Sequence, residues 1–222
     1  MSCDVVAIDG PSASGKSTVA RALAQALGRH YVDSGALYRA VTWYALEQGV
    51  DCSKPRDVIE LLSDFPVEFF VESGAVRFRV SGIQPVAELR TDSVVDNVSA
   101  VAAIPEVRQQ VTRWLRAATE HGPLVMEGRD IGSTVFPDAV FRFYLDADPE
   151  ERARRRQADS GTQDQSKSVS DVLNSLKIRD NKDRSRSASP LQISEGAIIV
   201  DSTGLGIEDV LALILEKIRE GV

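Results

Sequence analysis

Two hydrophobic periods alternate along the chain. Residues 5–9 (VVAID) form a β-branched apolar run too short for a helix and bounded by Gly10 and Pro11, which predicts a buried strand. From Lys16 the apolar positions take helical spacing, Val19, Leu23, Ala26 and Leu27, and stop at Gly28, a residue suited to a left-handed C-terminal cap. Further strands are expected at 124–127 (LVME), 140–145 (VFRFYL) and 197–200 (AIIV). A helix is expected over 149–158, with Asp148 as N-cap, Pro149 in the first helical position and Glu151 completing a capping box. A last helix over 206–220 would share one face among Val210, Leu213, Ile214 and Ile218. Strands alternating with helices predict an α/β fold with a parallel sheet covered on both sides.

Residues 65–90 break the alternation. FPVEFFV, the turn-like ESG, AVRFRV and a further SGIQPV read as short antiparallel strands joined by tight loops, an insertion rather than another βαβ unit. Pro105 then opens and Gly122 closes a helix with Val107, Val111, Leu115 and Ala118 on one face, and the polar stretch 159–170 reads as a mobile loop. With 222 residues, 43% hydrophobic and 27% charged, the chain is neither disordered nor collagen-like nor a coiled coil, and fits one domain with appended lobes. A net charge of −7 disfavours nucleic acid and anionic membranes as partners. Two cysteines, Cys3 and Cys52, imply no disulfide framework. The start MSCDVVAIDG lacks a basic segment before an apolar run, and no run approaches 18 apolar residues, so a cytoplasmic protein is expected. His30 and His121 adjoin element ends and are expected on the surface.

The turn after the first strand carries the chemistry. Gly10, Pro11, Ser12, Ala13, Ser14, Gly15, Lys16 and Ser17, followed by Thr18, satisfy G-x-x-x-x-G-K-[ST] in full, between a strand and a helix as a phosphate-binding loop requires. A polyphosphate needs many backbone N–H donors converging on one point, with glycine where the chain curls and the positive end of a helix dipole behind it. Lys16 is expected on the β- and γ-phosphates of ATP and Ser17 on Mg²⁺. A GTPase would need DxxG followed by NKxD; Asp201 to Gly204 fits the first, but no NKxD follows it, and Asn181-Lys182-Asp183 has the wrong spacing and order. No His/Cys/Asp cluster has metal-site spacing, so Mg²⁺ is expected to arrive with the nucleotide.

The motifs IDGPSASGKST, DSGALYR, VSAVAAIPEVR, EGRDIGSTVFPDA and IRDNKDRSRSASPL, in that order over residues 5 to about 203, resemble the nucleoside monophosphate kinases and more closely the bacterial cytidylate kinases. The insertion at 65–90 is similar to the antiparallel extension of that branch. The resemblance implies a P-loop-type three-layer α/β/α fold with a five-stranded parallel sheet, and transfer of the γ-phosphate of ATP to CMP or dCMP. It assigns Asp130, Ser99 and Arg108 to the cytosine, Arg179 and Asp183 to the sugar, and Arg39, Arg129 and Arg186 to the acceptor phosphate. Ser34 belongs with them through DSGALYR. Cytosine presents an amino donor beside a ring acceptor, so a carboxylate facing one and donors facing the other would penalise uracil.

Arg152, Arg154, Arg155 and Arg156 begin the capped helix, beside the polar loop, and read as a lid over ATP. Consecutive helical positions cannot all face one way, so Arg152 and Arg156, or Arg155 alone, are expected to point inward and act on the transferring phosphoryl group. Residues 142–186 hold 11 Lys+Arg and 9 Asp+Glu, so the acidic excess lies elsewhere. Glu127, at a strand end, is expected to hold a metal-bound water, although many relatives have Asp there. The expected organisation is a core (1–33, 122–150, 190–222), an acceptor-binding lobe (34–121) and a lid region (151–189), in a monomer. Kinases of UMP, AMP or another small acceptor, and a nucleotide-binding module without transferase activity, are the competing readings.

Overall fold

The computed structural model describes residues 4–159 and 168–221. Strand β1 (Val5–Asp9) is buried at every position and lies between β5 (Leu124–Gly128) and β6 (Phe141–Asp146), parallel to both. β2 (His30–Asp33) flanks β5 and β7 (Ile198–Asp201) flanks β6, also in parallel. These are the five parallel strands expected. The sheet nevertheless has seven, in the order β3-β4-β2-β5-β1-β6-β7, because the hairpin of β3 (Val67–Glu72) and β4 (Ala75–Val80) joins its edge. The junction is narrow: β4 meets β2 through Tyr31 and Ala75, with Tyr31 N–H donating to the Gly74 carbonyl at 2.9 Å.

Period-two alternation sorts β1 between two cores. Val5 and Ala7 face a cluster with α2 (Ser34–Glu47), α3 (Pro55–Leu62) and α5 (Pro105–Ala117), while Val6 and Ile8 face α1 (Lys16–Leu27) and α8 (Ile207–Glu220). α4 (Asp92–Val101) packs on α2, and α6 (Pro149–Asp159) on α7 (Val169–Ser185). Helix α5 buries Val107, Val111 and Leu115 as expected, while Ala118, also buried, opens the 3-10 turn (Ala118–His121) that replaces the last turn expected before Gly122.

Several expectations are corrected. In α1 it is Ala20 and Ala24, not Ala26, that accompany Val19 and Leu23 into the core. In α8, Val210 and Ile214 are buried but Leu213 is 42% exposed, since the buried face turns toward Leu211, Leu215 and Ile218. SGIQPV forms no third strand: Ser81 and Gly82 adopt positive φ, leaving one isolated bridge from Val80 to Ile83. His30 and His121 are half-buried rather than on the surface. Of the expected loop at 159–170, residues 160–167 lie outside the described residues, as does Cys3; Ser168 instead opens α7 with a capping box to Asp171. Cys52 is buried with a free thiol. No helix among the described residues is long and apolar enough to cross a membrane.

The two positions in α8 separate burial from composition. Ile214→Ala removes a side chain with no exposure and is expected to lower the unfolding free energy by about 2–5 kcal/mol, whereas Leu213→Ala should cost under about 1 kcal/mol; urea unfolding of both variants measures the difference.

Candidate active site

The strands end together, and the site sits at their carboxyl ends. Gly10 takes φ 151°, and a Cβ there would lie 2.0 Å from the Leu145 carbonyl oxygen, so only glycine lets the loop leave β1 against β6. Gly15 takes φ 90° and caps α1. Lys16, buried, donates from Nζ to the Pro11 carbonyl at 2.6 Å and approaches Ser14 Oγ at 3.4 Å. Burial, and then the Arg129 guanidinium, pull its pKa down to about 7. An ammonium held this way is poised for an anion that would restore its charge.

Ser17 Oγ donates to Glu127 Oε1 at 2.5 Å, and Tyr31 Oη reaches the same oxygen at 3.2 Å. Burial and the Asp33 carboxylate raise the Glu127 pKa. A serine hydroxyl beside a carboxylate is a hard-oxygen donor pair of the kind Mg²⁺ takes. Ser34 Oγ donates to the Glu127 carbonyl at 2.7 Å, fixing the start of α2 against β5. Asp33 caps α2 through Ala36 N–H and pairs with Arg39 at 2.7 Å, folding that arginine back over the first turn.

A polar network follows on the acceptor side. Arg108 and Asp130, both buried, form a close ion pair, and the Arg108 guanidinium lies 5.1 Å from the Tyr38 ring centroid. Arg186 stands 4.0 Å from Asp130 and 3.6 Å from Asp183. Arg129 donates from Nε to Asp183 at 3.0 Å and from Nη2 to Ser12 Oγ at 2.8 Å, which joins the network to the phosphate-binding loop. Arg179 is crowded: burial, then Arg129, push its pKa down to about 10 against the pull of Asp183, with Arg39 and Arg156 adding to the repulsion. Ser99 is half-buried on α4, whose helix touches α7.

The arginine run divides differently from either expected arrangement. Arg152 and Arg155 both turn to the loop, Arg156 is half-buried beside Arg179, and Arg154 faces solvent with Glu150 and Glu151. Arg152 donates to the Ser12 carbonyl at 3.0 Å and to Asp180 at 2.5 Å; Arg155 donates to the Ser202 hydroxyl at 3.0 Å and the Ser202 carbonyl at 2.7 Å, with the Ser14 carbonyl at 3.5 Å. Asp148 caps α6 at Glu150 N–H as expected, but the Glu151 carboxylate turns to Arg155 instead of closing a capping box.

Four residues of the site escape sequence reasoning. Asp180 takes Ser12 N–H at 3.2 Å on one oxygen and Arg152 on the other. Ser202 donates to the Ser14 carbonyl at 3.2 Å. Tyr38 has a buried hydroxyl with no partner among the described residues. Asp9 accepts from Ile131 N–H at 2.8 Å and Gly132 N–H at 2.7 Å, and so anchors the turn that carries Asp130. The position of Asp9, directly before the glycine of the loop, was the available signal; the others lie too far along the chain from the groups they meet.

The family model described as cytidylate kinase matches residues 6–220. A cytidylate kinase of Streptococcus gordonii is 41% identical over 216 residues, covering 97% of this chain and 96% of the relative. One of Streptococcus suis is 38% identical over the same shares. Among solved structures, a gluconokinase from Sinorhizobium meliloti aligns with TM-score 0.50 and 16% identity over 99% of this chain and 93% of its own, a likeness of fold.

Asp9 yields a test of the electrostatics. Burial raises its pKa from 3.8 to about 7, outweighing the two N–H donors, with Asp130 adding to the rise and Lys16 opposing it. The unfolded chain therefore releases this proton first, and the Asp9 contribution to stability falls as pH rises from about 4 to about 7. Urea unfolding of the parent protein and of Asp9→Asn at several pH values is expected to show the parent losing its advantage across that window; a constant difference would contradict a raised pKa.

Proposed function

The chain belongs to the cytidylate kinase family, and from that premise we propose how its residues divide the work of the reaction. It is an ATP-dependent nucleoside monophosphate kinase that moves the γ-phosphoryl group of ATP to CMP or dCMP, giving ADP and CDP or dCDP. The observation that carries the assignment of residues is the bridge made by Arg129, which donates to Asp183 at 3.0 Å and to Ser12 Oγ of the phosphate-binding loop at 2.8 Å, with Arg186 at 3.6 Å from the same Asp183, so that the acceptor-side arginines stand against the donor loop.

On this reading the loop Gly10, Pro11, Ser12, Ala13, Ser14, Gly15, Lys16, Ser17 and Thr18 takes the ATP phosphates, with Lys16 exchanging the Pro11 carbonyl for phosphate oxygens. Arg39, Arg129 and Arg186 grip the acceptor phosphate, and Arg39 must leave Asp33 to do so. Asp130 accepts from the cytosine amino group while Arg108 and Ser99 donate to the neighbouring ring acceptor. The Arg108–Asp130 pair holds both side chains in place, and stranding either charge in a buried site costs about 3–5 kcal/mol. Arg179 and Asp183 flank the sugar, Arg179 from the phosphate side and Asp183 through its two arginines. Ser34 orients the start of α2.

Arg152, Arg155 and Arg156 supply positive charge on the lid side. Two of them reach the Ser12 and Ser14 carbonyls of the donor loop, which ties α6 to the loop. Ser17 and, through water, Glu127 would hold a Mg²⁺ ion arriving with ATP, which would supply positive charge against the phosphate oxygens. The acceptor phosphate is already anionic at neutral pH, so positioning and exclusion of water account for the chemistry without a strong base. The remaining assignments are a single kinase domain with core, acceptor-binding lobe (34–121) and lid region (151–189), acting as a cytoplasmic monomer on small nucleotides, with neither nucleic acid nor membrane as partner.

Two measurements test the assignment. In a coupled ADP-release assay with CMP, dCMP, UMP and AMP, Asp130→Asn is expected to reduce the preference for CMP over UMP about 10- to 100-fold; an unchanged ratio removes Asp130 from base reading. Arg39→Ala and Arg186→Ala should each lower kcat/KM for CMP by about 10²-fold or more while KM for ATP changes little, and full turnover in both variants would displace the proposed phosphate grip.

A further inference from the structure

Beyond the narrow junction at Tyr31 and Ala75, strands β2 and β4 splay apart, and a cavity of about 120 Å³ occupies the wedge between them. Part of its wall is apolar, with Val32, Leu37, Phe69, Phe78, Leu89 and Trp114. An apolar cavity of about this size accommodates one aromatic ring. Its polar lining is one-sided. Arg21, Arg39, Arg77 and Arg90 border it, against Asp33 as the carboxylate of that lining. Both Asp33 oxygens are engaged, one by Ala36 N–H and the other by Arg39. Arg77 forms no ion pair among the described residues, and its Nε is buried without a hydrogen-bond acceptor. Arg77 as a whole is only half-buried at the cavity wall, and a guanidinium without a carboxylate partner gains a charge-assisted hydrogen bond from an ionised acceptor, about twice as strong as one from a neutral acceptor.

We propose that this wedge is a binding site for a small organic anion: a body the size of one aromatic ring seated between the hairpin and the sheet edge, with a carboxylate or phosphate head on Arg77. Asp33 and Arg39 line this cavity, and Arg39 is also assigned to the acceptor phosphate, so the two sites adjoin and competition with CMP tells them apart. Occupancy would brace the hairpin against β2 where the strands share little hydrogen bonding.

The test uses the full chain and 4-fluorobenzoate as probe, read by ¹⁹F NMR titration, with neutral 4-fluorobenzamide as the matched control. One saturable site for the carboxylate is expected, with the amide weaker by about tenfold and Arg77→Met weakening the carboxylate by a similar factor. Binding of the carboxylate should persist with CMP saturating. Equal binding of the two probes to the parent protein overturns the proposal without recourse to a variant. So does undiminished binding to Arg77→Met, abolition by CMP, which would assign the probe to the acceptor site, or the absence of a saturable signal.

Discussion

The chain turns at Gly10 where no side chain fits. Because a Cβ at that point would run into the Leu145 carbonyl, the donor loop lies directly on the backbone of β6, and everything that the loop touches is referenced to the centre of the sheet. Ser12 then meets α7 through Asp180 and the acceptor network through Arg129, while Ser14 meets β7 through Ser202. One close backbone approach thus fixes the frame in which three distant segments find the loop. Asp9, one residue earlier, extends that frame to the turn bearing Asp130, so the donor loop and the proposed base-reading carboxylate share an anchor.

Charge is arranged on two scales. The whole chain is acidic by seven charges, yet its buried polar centre is built from arginines, each placed against a carboxylate or crowded against another arginine. Arg108–Asp130 and Arg152–Asp180 are internally balanced and act as fixed scaffolding. At Arg179, burial and then the neighbouring Arg129 depress the pKa to about 10 against the pull of Asp183, which marks a place where a negative ligand would be favoured.

Much of this was legible from the residues alone. The β1–loop–α1 unit followed from local periodicity and one complete motif, and the burial of Val107, Val111, Leu115 and Ala118 from simple spacing. What failed to show depends on tertiary context. Nothing local distinguishes Leu213 from Ile214; only the position of α1 and the sheet decides which faces inward. The hairpin was recognisable, but its docking on β2 through Tyr31 is a contact between segments some forty residues apart. Short helices such as α3 and α4 lack strong caps, with no side-chain hydrogen bond at either N-cap, and so left little local signature. Within the site, the motifs supplied the residue types, while the pairings came from the fold: Arg108 with Asp130, Arg129 with Asp183, and the unforeseen Asp180 and Ser202.

Ser202 bears on how the protein is assembled in time. Its hydroxyl reaches the Ser14 carbonyl across 188 residues of sequence, and its backbone carbonyl holds Arg155 in place beside the same loop. The phosphate-binding motif is therefore synthesised well before the segment that completes its surroundings. Contacts so distant in sequence form only after the intervening chain has been ordered. A partly folded chain that lacks the Ser202 segment carries the motif without the surroundings that Ser202 supplies.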